Sequence, residues 1–345
     1  MNIQQAIARA VAGQNIDFDD MLEVVRAIMS GVATPAQIAG FLVALHMKGE
    51  SIDEVTAAAT VMRELAVHVS VSAAPLIDTC GTGGDAAHTF NISTATAFVV
   101  AAAGGYVAKH GNRSVSSSSG SADVLEQAGA NIELDPAAVA RSVEETGVGF
   151  MFAPAHHGAT RHAAGPRREL GIRTLFNVLG PLTNPAGARL QLVGVFDRHW
   201  QKMVAEVLAR LGTERAFVVN AADGLDEISN GSLTTVAELR DGQINWFKID
   251  PREHGIEMQP TSTIVARDAL HSLSIMTKVF DDEPGPARDI VTLNGGAAIY
   301  LCGIEDTLAD GVVRAKNLLA DGSVRARFGR FIEFTKQQTN THERE

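Results

Sequence analysis

The amino-acid sequence predicts an α/β protein, with a small all-helical domain at residues 1–70 and a larger α/β domain at residues 71–345 built on a mostly parallel central sheet. The length of 345 residues suits about two domains of ordinary size. Up to about residue 70 the apolar residues recur with helical spacing, as at residues 17–29. Beyond that point short apolar runs alternate with alanine-rich stretches, which is typical of a parallel sheet covered by helices.

The helices of the first domain are predicted from their ends. Thr34 followed by Pro35 is typical of an N-cap and a first-turn proline, and Gly49 stands where a glycine ends a helix. An S-x-x-E capping box then begins a helix that we expect to run from Ser51 to about Val67.

The second domain is predicted to contain five strands with helices between them. The predicted strands are 76–79, 105–108, 148–152, 190–195 and 216–220. Helices are predicted at 94–103 and 122–128. Glycine and polar residues bound the apolar runs, as they do where parallel strands alternate with crossover helices.

Composition excludes several classes of protein. Asp and Glu outnumber Lys and Arg by 40 to 29, giving a net charge of −11, and an acidic chain binds the nucleic-acid backbone poorly. The longest apolar stretch, residues 97–107, falls short of the roughly 20 residues that span a membrane. Two cysteines, Cys80 and Cys302, cannot form a disulfide framework. Because no signal-peptide pattern is present, we expect a cytoplasmic protein without nucleic-acid or membrane partners.

The sequence DTCGTGGD, residues 78–85, is the strongest candidate for chemistry. A short strand leads into a glycine-rich turn, where the backbone can adopt positive φ and direct amide groups toward an anion. The pattern is neither a Walker A loop nor a dinucleotide-binding fingerprint. An ordinary tight turn is the alternative interpretation.

Two further segments favour an anion site. Asn91, Ser93 and Thr94 begin an apolar helix. A helix N-terminus attracts anions and a hydroxyl can ligate a hard cation, although simple capping is the alternative. Residues 109–126, KHGNRSVSSSSGSADVLE, supply cations, hydroxyls and a second helix start near Ser121. This combination suits phosphate, and a flexible solvated loop is the alternative.

Charged residues elsewhere suggest a metal site and an acceptor site. Asp226 and Glu227 are adjacent acids in a glycine-flanked loop. Mg²⁺ is usually held by one or two carboxylates together with substrate phosphates, whereas most such acid pairs are solvated surface. Three arginines are candidates to bind a carboxylate bidentately: Arg167, Arg168 and Arg173. The alternative interpretation is that they are solvated charges on a helix.

Other chemistries are disfavoured. The histidines lack the H-E-x-x-H pattern and the cysteines lack C-x-x-C partners, so a structural zinc is not expected. The absence of G-x-S-x-G counts against an α/β-hydrolase. Cys80 is interpreted as a small residue in a crowded turn rather than a nucleophile.

The chain closely resembles the anthranilate phosphoribosyltransferases of tryptophan biosynthesis in motifs that occur in this order: DTCGTGGD, FNIST, KHGNR…SGSADVLE, RRELGIRTLFNVLGPLTNP and DGLDE. The resemblance extends from TPAQIAGFLVALHMKGES to EPGPARDIVTLNGGAAIY. Single motifs are shared with pyrimidine nucleoside phosphorylases, whereas the ordered set with the DE pair is specific. The implied fold is nucleoside phosphorylase/phosphoribosyltransferase-like, with the helical domain completed by a segment near 160–180 and the site at the hinge.

The resemblance implies transfer of the 5-phosphoribosyl group of phosphoribosyl pyrophosphate (PRPP) to the amine of anthranilate, with release of pyrophosphate. It also implies two Mg²⁺ ions per subunit and a homodimer that associates through the helical domains. We assign no general acid or base, because an aromatic amine is already unprotonated at neutral pH.

The resemblance also implies site residues, position by position. The PRPP-binding residues would be Gly81, Gly84, Asp85, Thr89, Asn91, Ile92, Ser93, Thr94, Lys109, His110, Gly111, Asn112, Arg113, Ser114, Val115, Ser116, Ser117 and Ser121. Anthranilate would contact Gly81, Asn112 and Arg167, with His110 nearby. The metal ligands would be Ser93, Asp226 and Glu227.

Two positions depart from the family pattern. Ser118 stands where the serine run often carries a basic residue, and Gly158 stands where a proline is expected after His157. Neither is an assigned ligand. One alternative function is a pyrimidine nucleoside phosphorylase of the same fold, which the DE pair disfavours. The other is a non-catalytic relative that binds nucleic acid, which the net charge disfavours.

Overall fold

The structure is a computed structural model and describes residues 1–85, 87–114 and 118–338. Helices α1 to α15 are, in chain order, Ile3–Val11, Phe18–Met29, Pro35–Lys48, Ile52–Glu64, Ile92–Ala103, Ser121–Gln127, Pro136–Thr146, Ala153–His156, Arg161–Leu170, Phe176–Leu179, Arg198–Arg210, Ala269–Phe280, Pro286–Leu301, Leu308–Ala320 and Ser323–Gln337. Strands β1 to β7 are Leu76–Gly81, Tyr106–Gly111, Val148–Phe152, Leu190–Gly194, Arg215–Ala221, Thr234–Arg240 and Gln243–Ile249.

The strands form one sheet in the order β3-β2-β1-β4-β5-β6-β7. Strands β1 to β5 are parallel to their neighbours, while β6 and β7 join the β5 edge in antiparallel pairing. The predicted fold class, a small helical domain with a larger α/β domain on a mostly parallel sheet, is therefore confirmed. Strand order reverses between β1 and β4, and ligands of such sheets bind beyond the carboxyl ends of the strands at that point.

All five predicted strands are present, and the antiparallel hairpin was missed. Strands β6 and β7 pair from Thr234 with Ile249 to Arg240 with Gln243. The turn between them is Asp241–Gly242, in which both residues have positive φ. An Asp-Gly pair flanked by alternating apolar residues is a strong hairpin indicator, so the sequence contained the information.

The predicted helix starts in the small domain are confirmed. The Thr34 hydroxyl accepts the N–H of Gln37, and the Gln37 side chain accepts the N–H of Thr34. Ser51 and Glu54 form the same reciprocal arrangement at the start of α4. Helix α4 ends at Glu64, three residues before the expected end.

The early end of α4 follows from how the chain enters the sheet domain. The N–H of Val67 donates to the carbonyl of His156 at 2.8 Å, and the N–H of Val69 donates to that of Pro185 at 3.1 Å. These backbone bonds require an extended segment, because a continued helix would use the same N–H groups internally. Later in the chain, α9 packs against α2 and α3.

Helix α5 is the buried helix that carries one end of the site. Its Phe98 ring packs edge-on against Phe280, Phe328 and Phe331, with centroids 5.9, 4.9 and 5.5 Å away. Such edge-to-face contacts stabilise a core beyond simple burial. The apolar packing fixes the N-terminus of α5, which begins at Ile92 beside the glycine-rich turn.

In the described ranges, no helix combines the length and the apolar character needed to cross a membrane.

Candidate active site

The glycine-rich turn and the acidic loop meet at the carboxyl end of the sheet. The Asp226 carboxylate is 9% exposed, and its Oδ2 accepts the backbone N–H of Gly83 at 2.8 Å. Gly83 and Gly84 both have positive φ, +67° and +79°, a conformation that glycine adopts without strain. The glycine-rich turn and the acidic loop, which the sequence suggests as separate candidates, therefore form one structure.

Two glycines are needed because Asp226 approaches so closely. A Cβ on Gly81 would lie 2.3 Å from Asp226 Oδ2, and one on Gly194 would lie 1.5 Å from the Asp226 carbonyl oxygen. Neither glycine is in the positive φ region. Their role is close packing, and Gly194 had no motif that would have identified it in the sequence.

The acids at this point are buried close to one another. Burial, and secondarily the nearby Asp85, raises the pKa of Asp226. Burial, and secondarily Asp226, raises the pKa of Glu227, while Lys109 and a backbone hydrogen bond from Ser93 oppose that rise. Crowded carboxylates favour protonation unless a cation is near. This arrangement therefore suits a divalent cation.

Lys109 is buried beneath the same site. It is 3% exposed, and its Nζ donates to the Thr79 carbonyl and, at 3.1 Å, to Ser93 Oγ. Thr79 Oγ1 in turn donates to the Ser93 carbonyl at 3.0 Å. The ammonium thus holds Ser93 in place and partly offsets the charge of the acids.

Oxygen donors dominate this cluster. The cluster offers hydroxyl and carboxylate oxygens, which are the ligands that Mg²⁺ prefers. They belong to Ser93, Asp85, Asp226 and Glu227. Among the described residues, no group of three or more His, Cys, Asp and Glu side chains is arranged as a metal cage. Mg²⁺ usually retains waters and binds substrate phosphates in place of an all-protein cage, so the set fits that ion.

The side chain of Asn91 does not act as a simple helix cap, which is the alternative role that the sequence leaves open for it. It is the N-cap of α5 but makes no capping bond with its side chain. Its Oδ1 accepts the hydroxyls of Ser119 at 2.9 Å and Ser272 at 2.7 Å. The hydroxyl of Thr94 is buried and has no hydrogen-bond partner among the residues that the structure describes. Asn91 therefore links α5 to the serine-rich segment and to α12.

Two further predicted PRPP-binding residues, Thr89 and Ile92, lie just before and at the start of α5. Thr89 forms an isolated antiparallel bridge with Val265, and the N–H of Phe90 donates to the Ile264 carbonyl at 3.1 Å. Ile92 is 2% exposed, so only its backbone is available for a ligand.

The second predicted phosphate-binding segment, which begins at Lys109 and reaches the start of α6 at Ser121, is tightly folded at both ends. We call this segment and the glycine-rich turn the two cradles. A Cβ on Gly120 would lie 2.4 Å from the Asn112 carbonyl oxygen. The Ser121 hydroxyl donates to that same carbonyl at 3.5 Å. Asp123 Oδ2 accepts the N–H groups of Ser114 at 2.9 Å and Gly120 at 2.8 Å. Gly111 faces the cradle too, with its Cβ position 2.1 Å from Ser121 Oγ.

The predicted PRPP-binding residue Arg113 already has an acidic partner. Arg113 is paired with the Glu126 carboxylate, so its charge is already partnered. The predicted ligands Val115, Ser116 and Ser117 lie outside the described residues.

The acceptor side carries a partly buried arginine and two neutral histidines. Arg167 lies over the Phe176 ring, 5.1 Å from its centroid. The rings of His110 and His157 are 5.0 Å apart, and His110 Nδ1 lies 3.2 Å from the Gly180 carbonyl oxygen. Burial lowers the pKa of His110 to about 3 and that of His157 to about 4. Gly158 has open space around its Cβ position.

The structure brings part of the predicted site together. Gly81, Ser93, Lys109, Asp226 and Glu227 lie in one cluster. Asp85, assigned only to PRPP, interacts with Asp226.

Comparisons with known proteins agree with this architecture. The glycosyl transferase family models match residues 4–66 (helical bundle domain) and 73–325 (a/b domain). An anthranilate phosphoribosyltransferase of Thioalkalivibrio sulfidiphilus is 56% identical over 97% of this chain and 99% of its own. One of Chromohalobacter salexigens is 54% identical over 100% of both.

Solved structures agree as well. The crystal structure of anthranilate phosphoribosyltransferase from Thermus thermophilus has a TM-score of 0.91 and 40% identity, covering 96% of this chain and 99% of its own. The Saccharomyces cerevisiae enzyme in complex with PRPP and Mg has a TM-score of 0.88 at 23% identity over 97% of this chain and 98% of its own, a likeness of fold alone. From the family models and the identity over nearly the full length, the chain belongs to the anthranilate phosphoribosyltransferase family.

Proposed function

We propose that the protein transfers the 5-phosphoribosyl group of PRPP to the amine of anthranilate and releases pyrophosphate, as a step of tryptophan biosynthesis. The observation that carries the proposal is the hydrogen bond from the Gly83 N–H to the Asp226 carboxylate, because it brings the glycine-rich turn next to buried acids that suit a divalent cation. The names of the bacterial relatives support the same substrates.

We propose Mg²⁺ as the cofactor, with two ions per subunit held by Ser93, Asp226 and Glu227. When bound, Mg²⁺ offsets the negative charge that develops on departing pyrophosphate. The yeast enzyme of the same fold was solved with PRPP and Mg, and the oxygen donors here suit that ion.

The proposed donor site divides between the two cradles. Gly81, Gly84 and Asp85 would lie along the diphosphate, with the start of α5 continuing the site. The segment from Lys109 to Ser121 would contact the phosphoribosyl group. Breaking the bond from ribose C1 to pyrophosphate builds charge on the leaving group, and fixed amides and a buried ammonium stabilise that charge without reorganising.

The proposed acceptor site lies at Gly81, Asn112 and Arg167, with neutral His110 close by. Arg167 would bind the anthranilate carboxylate, and this anchor would hold the amine over C1 and supply proximity. The neutral histidines carry no charge to attract pyrophosphate into the acceptor site.

We also propose a domain division at residue 70, a homodimer formed through the helical domains, and a cytoplasmic location. The helical domain exposes Val11, Val32 and Met47 at 73, 77 and 82%, and these are apolar side chains that a partner subunit would cover. Light scattering coupled to size-exclusion chromatography tests the dimer, and a monomer at micromolar concentration would contradict it.

Loss of anthranilate fluorescence tests the proposed function. We expect the loss only when PRPP and Mg²⁺ are both present. Release of free base from uridine or thymidine in the presence of inorganic phosphate, without anthranilate consumption, would contradict the proposal and favour a phosphorylase.

A further inference from the structure

Arg173 contacts the glycine-rich turn. It lies in the segment between α9 and α10, and its Nη2 donates to the Gly84 carbonyl. The centre of its guanidinium lies 3.8 Å from the centroid of the Phe196 ring. A Cβ on Gly84 would lie 2.9 Å from Arg173 Nη2, so the guanidinium approaches the backbone of the turn closely.

The backbone of Phe196 contacts the other end of the turn. The N–H of Phe196 donates to Thr82 Oγ1 at 3.2 Å, and the N–H of Thr82 donates to the Gly194 carbonyl at 2.9 Å. Arg173, Phe196 and Thr82 therefore form a continuous set of contacts along the turn, which we call the outer brace.

The outer brace solves a problem that any amide-lined anion cradle has. Each residue that directs an N–H toward the anion also carries a carbonyl, which repels the anion if it points the same way. A guanidinium that accepts no hydrogen bonds and donates in a planar fork is suited to hold such a carbonyl outward while stacking on an aromatic ring.

We propose that Arg173 is a positioning residue for PRPP: by holding the Gly84 carbonyl away from the diphosphate site, it keeps the turn in its anion-binding conformation. The inference rests on the proposed function, which makes this turn the diphosphate cradle. It also connects the two substrates, because the segment that carries Arg173 follows the helix that carries Arg167.

The test compares Arg173→Ala, Arg173→Lys, Phe196→Leu and the Ala/Leu double variant, with exposed Arg168→Ala as the matched control. Calorimetry measures the Kd for PRPP with Mg²⁺, initial rates give the KM for each substrate, and melting temperatures identify variants that fail to fold. For Arg173→Ala we expect the Kd and KM for PRPP to rise by about tenfold or more, with a change of about twofold or less in the KM for anthranilate.

The double variant separates positioning from direct charge attraction. If Phe196 acts by holding Arg173, the double variant binds PRPP no more weakly than Arg173→Ala, because contacts in one set are not additive. Multiplied effects, an unchanged Kd in Arg173→Ala, or full recovery with Lys, which supplies charge without the planar fork, would each overturn the proposal.

The inference and the proposed function can fail separately. If the wild-type protein binds PRPP but consumes no anthranilate, the proposed function fails, and the binding comparison still decides on Arg173. If the wild-type protein does not bind PRPP, both fail.

Discussion

The Asp226 carboxylate lies 2.8 Å from the backbone nitrogen of Gly83, although 143 residues separate the two in the chain. This hydrogen bond joins the loop after β5 to the turn after β1, across the intervening strand β4. It makes the acids and the glycine turn interdependent, and the first two predictions below follow from it.

Replacing both acids should abolish most of the activity without unfolding the protein. We expect Asp226→Asn with Glu227→Gln to lower kcat/KM on the order of a hundredfold or more, because the oxygen ligands of the cation lose their charge. Anthranilate fluorescence measures the rate and circular dichroism the fold. Asp241→Asn, at the exposed hairpin tip, is the matched control and should behave like wild type.

A methyl group at Gly194 should damage both stability and activity. Its Cβ would lie 1.5 Å from the Asp226 carbonyl oxygen, so backbone must move, at a cost of about 1–3 kcal/mol or more in the free energy of unfolding. Urea unfolding and initial rates measure the two effects. Gly329→Ala, in the interior of α15 with open space around the Cβ position, is the control, and equal behaviour of the two variants would contradict the close packing.

Arg167→Ala should weaken the use of anthranilate more than that of PRPP. The partly buried guanidinium over Phe176 is the proposed carboxylate anchor, and loss of one charged hydrogen bond costs about 1.5–3 kcal/mol. We therefore expect the KM for anthranilate to rise on the order of tenfold or more. Arg168→Ala is exposed in the same helical turn and serves as the control; an unchanged anthranilate KM in Arg167→Ala would contradict the assignment.

Acid should destabilise the protein through its buried histidines. Because burial lowers the pKa of His110 to about 3 and of His157 to about 4, the unfolded chain binds more protons below its usual histidine pKa of about 6.5. The contribution of these two histidines to the free energy of unfolding is therefore largest above about pH 6.5 and falls as pH approaches 4, by at most about 1.4 kcal/mol per pH unit for each histidine.

A histidine variant isolates this effect. Urea unfolding between pH 7 and 4 should show a shallower fall for His157→Asn than for wild type, whereas exposed His199→Asn should follow wild type. A wild-type slope retained in His157→Asn would contradict the interpretation.

The local parts of the structure were predictable from the sequence. Capping residues such as Thr34 and Ser51 identify helix starts because their side chains satisfy N–H groups within one turn. The five strands of the parallel part of the sheet were recognisable as apolar runs. The β6–β7 hairpin was also encoded locally, by Asp241–Gly242, and was overlooked.

The long-range contacts of the site were not predictable in the same way. Position 194 cannot bear a side chain because a loop more than 30 residues later passes close to it. No local pattern in the sequence encodes the path of that loop. The stack of Arg173 on Phe196 likewise joins segments that only the tertiary fold brings together. The hydrogen bonds from Lys109 Nζ to the Thr79 carbonyl and to Ser93 Oγ also join residues that are 30 and 16 positions apart in the chain.

The backbone bonds from Val67 and Val69 to His156 and Pro185 have a consequence for motion between the helical domain and the sheet domain. Both bonds lie in the segment between α4 and β1, through which the first four helices join the sheet domain, so a rotation of those helices would act on them. Their amide protons should consequently exchange slowly with deuterated solvent, and a swing of the domains during turnover would register there as faster exchange. These two amides therefore report directly on motion at the junction between the helices and the sheet domain.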